Sequence, residues 1–182
     1  MRLLAAVALS VFVSSGCTER ELVLEPNLQV PLVRVSIHGN DAVIFPEERA
    51  KETPITGKVS GYWTPSQGDA EALELKLQAW LNDVQVNPAL ANTWLAKHPD
   101  SRNYVAGEIQ QILENYARFR KQYVGIVVNG SRRVYVNSFP NTRHDYWTDS
   151  FVQVRDGGFW YWNAQYDVET GEFLEFHSNG YA

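Results

Sequence analysis

The spacing of hydrophobic residues changes near Tyr123 from the period of a helix to the period of a strand. Within residues 64–119 apolar side chains recur three and four positions apart, as on the buried stripe of an amphipathic helix. After Tyr123 apolar and polar side chains alternate, as on a strand with one buried face. Helices first and strands afterwards predict an α+β fold rather than alternating βαβ units.

Three helices are predicted in the first part. The sequence Thr-Pro-Ser-Gln at 64–67 indicates a helix start, with its first residue as the cap and the proline in the first turn. Asn-Pro at 87–88 predicts a short second helix that ends at 98–99. A cap at 100–101 starts the third, whose apolar stripe reaches Phe119.

The second part predicts five successive antiparallel strands, joined by turns such as Asn129-Gly130. The strands are 123–128, 132–139, 151–155, 159–168 and 173–178. An earlier hairpin is predicted at 32–45, followed by an irregular loop at 46–61. The sequence leaves open whether that hairpin joins the main sheet.

This order of elements resembles the cystatin-like and NTF2-like layouts, in which a curved antiparallel meander of about five strands packs one face on helices. The resemblance concerns the order of elements alone and implies no activity. Residues 31–182 are expected to form this single α+β domain, since their number suffices for one hydrophobic core.

The first residues have the pattern of an export signal. Arg2 precedes an apolar run at 3–13, and the small residues 14–16 follow, as a signal peptidase requires. The run is too short to span a bilayer. Val-Ser-Ser-Gly-Cys at 13–17 resembles the lipobox of bacterial lipoproteins, although Ser14 stands where leucine is usual.

This resemblance implies a signal peptide at 1–16, cleavage before Cys17, acylation of Cys17 with several lipid chains and a tether at 17–30. Several acyl chains anchor a protein stably where one does not. Thr18 in place of aspartate favours the outer over the inner membrane, where both exist. The alternative is an ordinary secretory signal followed by an unrelated cysteine.

The distribution of charge argues against nucleic acid as a partner, since the chain has a formal net charge of −5. Residues 101–143 are nevertheless basic, with seven Lys and Arg against two Glu. Such a block attracts an anion, a lipid headgroup or an acidic partner, or it neutralises acidic neighbours within the fold.

No motif predicts catalysis, a metal or a cofactor. The four histidines are not spaced as ligand pairs, and His144 with Asp145 and Asp149 forms the only local cluster of ligand types. No serine lies in a recognisable nucleophile motif. An enzyme whose reactive residues are distant in sequence remains an alternative.

An aromatic run at 159–162 is the most informative feature of the predicted sheet. Alternation places Trp160, Trp162, Ala164, Tyr166 and Val168 toward the core. The opposite face combines aromatic, arginine and amide side chains, a composition typical of surfaces that bind protein or saccharide. The candidate binding residues are Arg133, Tyr135, Asn137, Gln153, Arg155, Phe159, Tyr161, Asn163 and His177. The alternative is a face without a ligand, or one covered by the 32–45 hairpin.

Together these features predict a membrane-anchored envelope lipoprotein that is a non-enzymatic binding or interaction module. Its expected partners are the membrane, through the lipid on Cys17, and an envelope protein or saccharide. The rival hypothesis is an envelope enzyme that acts on a small molecule or cell-wall component in a pocket between helix and sheet.

Overall fold

The computed structural model describes residues 30–55 and 57–180, and within them four α-helices accompany a seven-stranded, mostly antiparallel sheet. The α+β class is therefore confirmed. The strands are β1 (Val33–Ile37), β2 (Asn40–Phe45), β3 (Val59–Trp63), β4 (Phe119–Val128), β5 (Ser131–Pro140), β6 (Trp162–Asp167) and β7 (Glu172–Ser178). The helices are α1 (Glu47–Ala50), α2 (Gln67–Val86), α3 (Thr93–Lys97) and α4 (Arg102–Glu114). The predicted signal at 1–16, Cys17 and nearly all of the tether lie outside the described residues.

The sheet has the strand order β1-β2-β4-β5-β6-β7, with β3 off this path. β2 and β3 share one edge of β4. β2 runs parallel to the first half of β4, with Ile44 opposite Tyr123, whereas β3 runs antiparallel to the second half, with Tyr62 opposite Ile126. The 32–45 hairpin therefore extends the sheet and does not cover a face. The segment 46–61, expected to be a loop, contains α1 and the start of β3. The hairpin and β3 add three strands to the predicted five and residues 151–155 form none, so the sheet has seven strands.

Gly125 allows β3 to lie this close to β4. A Cβ at this position would lie 2.1 Å from the carbonyl oxygen of Trp63, its partner in the register. No real side chain tolerates that distance, so the pairing requires glycine at this point of the strand.

The long helices α2 and α4 cover one face of the sheet. Ser66 rather than Thr64 caps α2, because its hydroxyl accepts from the backbone N–H of Asp69 at 3.1 Å in a capping box. Thr64 instead accepts a hydrogen bond from the backbone of Glu47. The helix-side core contains Leu73, Leu77, Leu81, Ile109, Ile112, Val134, Val136, Trp162, Ala164, Tyr166 and Phe176. The predicted inward direction of Trp162, Ala164 and Tyr166 is thus confirmed. No helix among the described residues is long and apolar enough to cross a membrane.

A second core lies on the opposite face, beneath α1 and the long connection between β5 and β6. The fully buried Gln122 of β4 holds this connection to the sheet. Its side-chain nitrogen donates to the carbonyls of Trp147 and Ser150 at 2.8 Å, and its oxygen accepts from the backbone N–H of Val152 at 2.9 Å. One buried amide therefore satisfies three backbone groups of a segment that has no strand partner.

The prediction of a strand at 151–155 is wrong for this reason. Side-chain amides take the place of a neighbouring strand: Asn137 donates to the carbonyl of Val152 at 2.8 Å, and Asn179 donates to that of Val154 at 2.6 Å. The predicted strand at 159–168 begins only at Trp162, because 158–160 form a 3-10 turn. Alternation consequently fails at Phe159, which packs on the helix-side core together with Trp160.

Candidate functional site

A groove opens on the sheet face that points away from the long helices. Its larger part has a volume of about 450 Å³ and lies between the sheet and residues 54, 55 and 57–59. A smaller part of about 180 Å³ shares four lining residues with it. We call the two together the sheet groove. It is lined by Pro54, Ile55, Lys58, Val59, Tyr135, Asn137, Gln153, Asn163, Arg133, Gln165, Glu175 and His177, among others.

Polar side chains form a row across three strands at the larger part of the groove. Arg133 of β5 donates from Nη1 to Oε1 of Gln165 at 3.0 Å, and Gln165 donates to Oε2 of Glu175 on β7 at 2.8 Å. His177 Nε2 lies 3.7 Å from the same carboxylate oxygen. The row fixes the orientation of Arg133, Gln165 and Glu175, because each of these side chains is held by a neighbour on the adjacent strand.

Three polar groups in the groove make no hydrogen bond with the described residues: the hydroxyl of Tyr135, the side-chain amide of Asn163 and Nε of Arg133. Burial raises the pKa of Tyr135 to about 12, so its hydroxyl stays protonated at neutral pH. Free donors in a partly buried groove are the groups through which a site fixes the orientation of a ligand.

Most of the predicted binding residues meet at this groove, though not as one open face. Arg133, Tyr135, Asn137, Gln153, Tyr161, Asn163 and His177 line it, whereas Arg155 and Phe159 do not. Phe159 packs on the helix-side core, so its predicted place on the opposite face is wrong. Arg155 is exposed in the connection between β5 and β6.

Two of the lining residues have structural contacts. Tyr161 is only 8% exposed, and its hydroxyl lies 2.9 Å from Nε2 of His144. Asn137 uses its side-chain nitrogen on Gln122 and Val152. Neither offers a free donor from that group, and Nε of Arg133 is fully buried, so the groups available to a ligand are those of Tyr135 and Asn163.

The segment 54–59 was not predicted to be part of a site. It forms one wall of the groove through Pro54, Ile55, Lys58 and Val59. The sequence around it shows no hydrophobic period, and only the pairing of β3 with β4 brings it over the sheet. The remaining lining residues, Gln165 and Glu175, alternate in sequence with buried positions on β6 and β7.

A buried group of titratable side chains lies on the other side of the sheet. Glu74 of α2 accepts from Lys121 Nζ at 3.1 Å, from the Tyr116 hydroxyl at 3.1 Å and from the Tyr123 hydroxyl at 2.9 Å. Burial, with the added effect of Glu74, raises the pKa of both tyrosines well above its usual value. Glu74 and Lys121 are only 8% and 4% exposed, and none of the four residues lines the sheet groove, so they meet in packed protein.

His144 is surrounded by tyrosines rather than by ligands for a metal. Its Nε2 lies 2.9 Å from the Tyr161 hydroxyl and its Nδ1 lies 3.3 Å from that of Tyr146. Burial, and then the charge of Arg143, lowers its pKa. Within 30–55 and 57–180, no three His, Cys, Asp or Glu side chains are arranged to hold a metal ion.

Comparison with known proteins gives no relative from which a function could be carried over. No protein-family model matches the chain, and neither the curated proteins nor the solved structures contain a match. The function must therefore be argued from the site itself.

Proposed function

We propose that this chain is a lipid-anchored envelope protein whose domain binds a protein or saccharide partner in the sheet groove without catalysing a reaction. The observation that carries the binding proposal is the pair of free polar groups, on Tyr135 and Asn163, in a groove of about 450 Å³. The resemblance of 13–17 to a lipobox supports the anchor, and Thr18 favours the outer membrane. The cystatin-like or NTF2-like layout is likewise a proposal about the arrangement of the sheet and helices.

Neither the cluster around Glu74 nor the sheet groove offers the groups that the rival hypothesis of an envelope enzyme requires. An enzyme needs reactive groups that a substrate can reach, whereas Glu74 and Lys121 are only 8% and 4% exposed and do not line the sheet groove. The groove itself contains an imidazole beside a carboxylate, His177 and Glu175, but no nucleophile held by them. Binding therefore has the better support.

We expect the change Cys17→Ser to abolish lipid attachment, because the thiol is the acylated group in the lipobox family. Cells grown with a fatty-acid probe would carry label on the wild-type protein and none on the variant. Thr18→Ala is the matched control, since it alters the neighbouring residue and keeps the thiol. Equal label on the wild type and Cys17→Ser would contradict the anchor.

We expect the double change Tyr135→Phe and Asn163→Ala to weaken partner binding about tenfold, because two groove hydrogen bonds of about 0.5–1.5 kcal/mol each are lost. The melting temperature should change little, because neither group bonds within the described fold. Partner binding is measured by capturing envelope components on the immobilised chain and then titrating the component found. Stability is measured by thermal melting.

Tyr146→Phe is the matched control for this experiment, since it removes a tyrosine hydroxyl outside the groove from an exposed side chain. A captured component that binds the groove variant and the control equally would show that the groove is not its binding site. A large loss of stability in the groove variant would instead give Tyr135 and Asn163 a structural role.

A further inference from the structure

The basic block at 101–143 is only partly neutralised within the fold. Lys121 pairs with Glu74, and Arg132 lies 3.7 Å from Glu169. Arg118 and Arg143 form no ion pair with any described residue. Neutralisation of acidic neighbours therefore explains only part of the block, and two exposed guanidinium groups need another explanation.

These two arginines line the same pocket, separate from the larger part of the sheet groove. Its volume is about 240 Å³, and it lies where β5 ends and the connection to β6 begins. Its lining contains no acidic residue. Asn141 and Thr142 add an amide and a hydroxyl whose side chains make no hydrogen bond with the described residues. The pocket thus combines two positive charges with free polar groups, in a chain that is negative overall.

Arg118 is held in place before any ligand arrives. Its guanidinium lies 4.9 Å from the ring centroid of Trp160, and Nη1 donates to Oδ1 of Asn115 at 3.1 Å. The backbone N–H of Asn141 donates to the carbonyl of Arg118 at 2.8 Å, which joins the two sides of the pocket. A guanidinium has five N–H donors, so most of them remain free. A fixed guanidinium loses little conformational entropy when it binds an anion.

Gly157 brings the aromatic wall of the pocket close to the backbone. Its φ is +95°, and a Cβ there would lie 2.6 Å from the ring of Tyr161. Only glycine accepts both this conformation and this contact. The pocket is therefore built from a fixed arginine, a glycine-dependent aromatic wall and a second, exposed arginine.

We propose that this pocket binds a phosphoryl group, carried either by a lipid headgroup or by a free phosphorylated small molecule. Two guanidinium groups beside amide and hydroxyl donors match the planar, multiple hydrogen bonding through which arginine recognises phosphate. The proposal is independent of the groove, because neither arginine lines it.

A calorimetric titration with inorganic phosphate tests whether the pocket binds a free phosphorylated ligand. We expect Arg118→Gln and Arg143→Gln each to weaken binding about tenfold, because each removes charge-assisted hydrogen bonds. Arg155→Gln is the matched control, since Arg155 is exposed and lines neither this pocket nor the sheet groove. Melting curves of Arg143→Gln and Arg155→Gln should coincide with that of the wild type, and Arg118→Gln should melt only slightly lower because it loses its contacts with Trp160 and Asn115.

Sedimentation with vesicles tests the lipid source. The measured quantity is the increase in bound protein when phosphatidylglycerol is added to vesicles of phosphatidylcholine. Binding through the N-terminal segment contributes to both measurements and is removed by taking the difference. Loss of this increase in the two pocket variants assigns the lipid headgroup, and a loss confined to the phosphate titration assigns a free ligand. The proposal is overturned if the two pocket variants match Arg155→Gln in both measurements.

Discussion

Replacing Glu74 by alanine should destabilise the domain by about 3–5 kcal/mol, because it leaves the buried ammonium of Lys121 without a counter-charge. The hydroxyls of Tyr116 and Tyr123 lose their acceptor at the same time. Since a domain of this size is usually stable by about 5–15 kcal/mol, this variant should unfold at a much lower urea concentration.

Removing both charges separates the cost of a lone charge from the value of the pair. The double change Glu74→Met and Lys121→Met should recover most of the lost stability, because it leaves no unpaired charge in the core. Glu47→Ala is the control, since the Glu47–Lys51 pair is largely exposed and such pairs contribute little. If Glu74→Ala unfolds at the same urea concentration as Glu47→Ala, the buried cluster has been assigned incorrectly.

Trp162→Ala should cost about 3–5 kcal/mol as well, through the cavity that a buried indole leaves behind. Trp162 is 1% exposed and packs on Phe119 and Phe176, with ring centroids at 5.8 and 6.1 Å. Trp162→Phe should cost much less, because the buried Nε1 of Trp162 has no hydrogen-bond partner to lose within the described structure. Urea unfolding of the three proteins provides the comparison.

Trp94→Ala is the control for the loss of an indole as such, since Trp94 is 53% exposed and lies on a helix surface. It stacks on His98 alone, with ring centroids at 4.2 Å, so its removal should change stability little. An equal loss in the Trp94 and Trp162 variants would show that the effect does not come from the core.

The strands and helices that depend on local pattern could be predicted from the sequence. The hairpin at Asn129-Gly130 has positive φ at both turn residues, as that dipeptide indicates. The inward side of β6 follows from simple alternation at Trp162, Ala164 and Tyr166. In each case the information lies in residues that are neighbours in the chain.

Features that depend on distant partners could not be predicted in this way. Residues 151–155 have the composition of a strand, but the side chains of Gln122, Asn137 and Asn179 bind their backbone groups. β3 could not be predicted because its segment shows no hydrophobic period, and it becomes a strand through its pairing with β4. A glycine inside a strand, such as Gly125, often indicates that another backbone approaches closely. In the structure, the backbone that approaches Gly125 is that of Trp63.

The candidate site likewise has parts that follow from local sequence pattern and parts that depend on distant segments. Alternation along β5 and β6 brought Arg133, Tyr135 and Asn163 to one face of the sheet, where the groove lies. The wall at 54–59 and the pocket between Arg118 and Arg143 arise from segments far apart in sequence. The basic block could be seen in the sequence, but which of its charges remain unpaired depends on where Glu74 and Glu169 lie.

The parallel pairing of β2 with β4 has a consequence for the order of folding. The β1–β2 hairpin can close locally as soon as its own residues are available, but its inner edge has no partner until β4 has been made. β3 and the three later helices all lie between these two strands in the chain. A contact across so long a loop is entropically costly and forms slowly. We therefore expect the β1–β2 hairpin to join the sheet only after β4 has been made, and until then its inner edge is open to pairing with another chain.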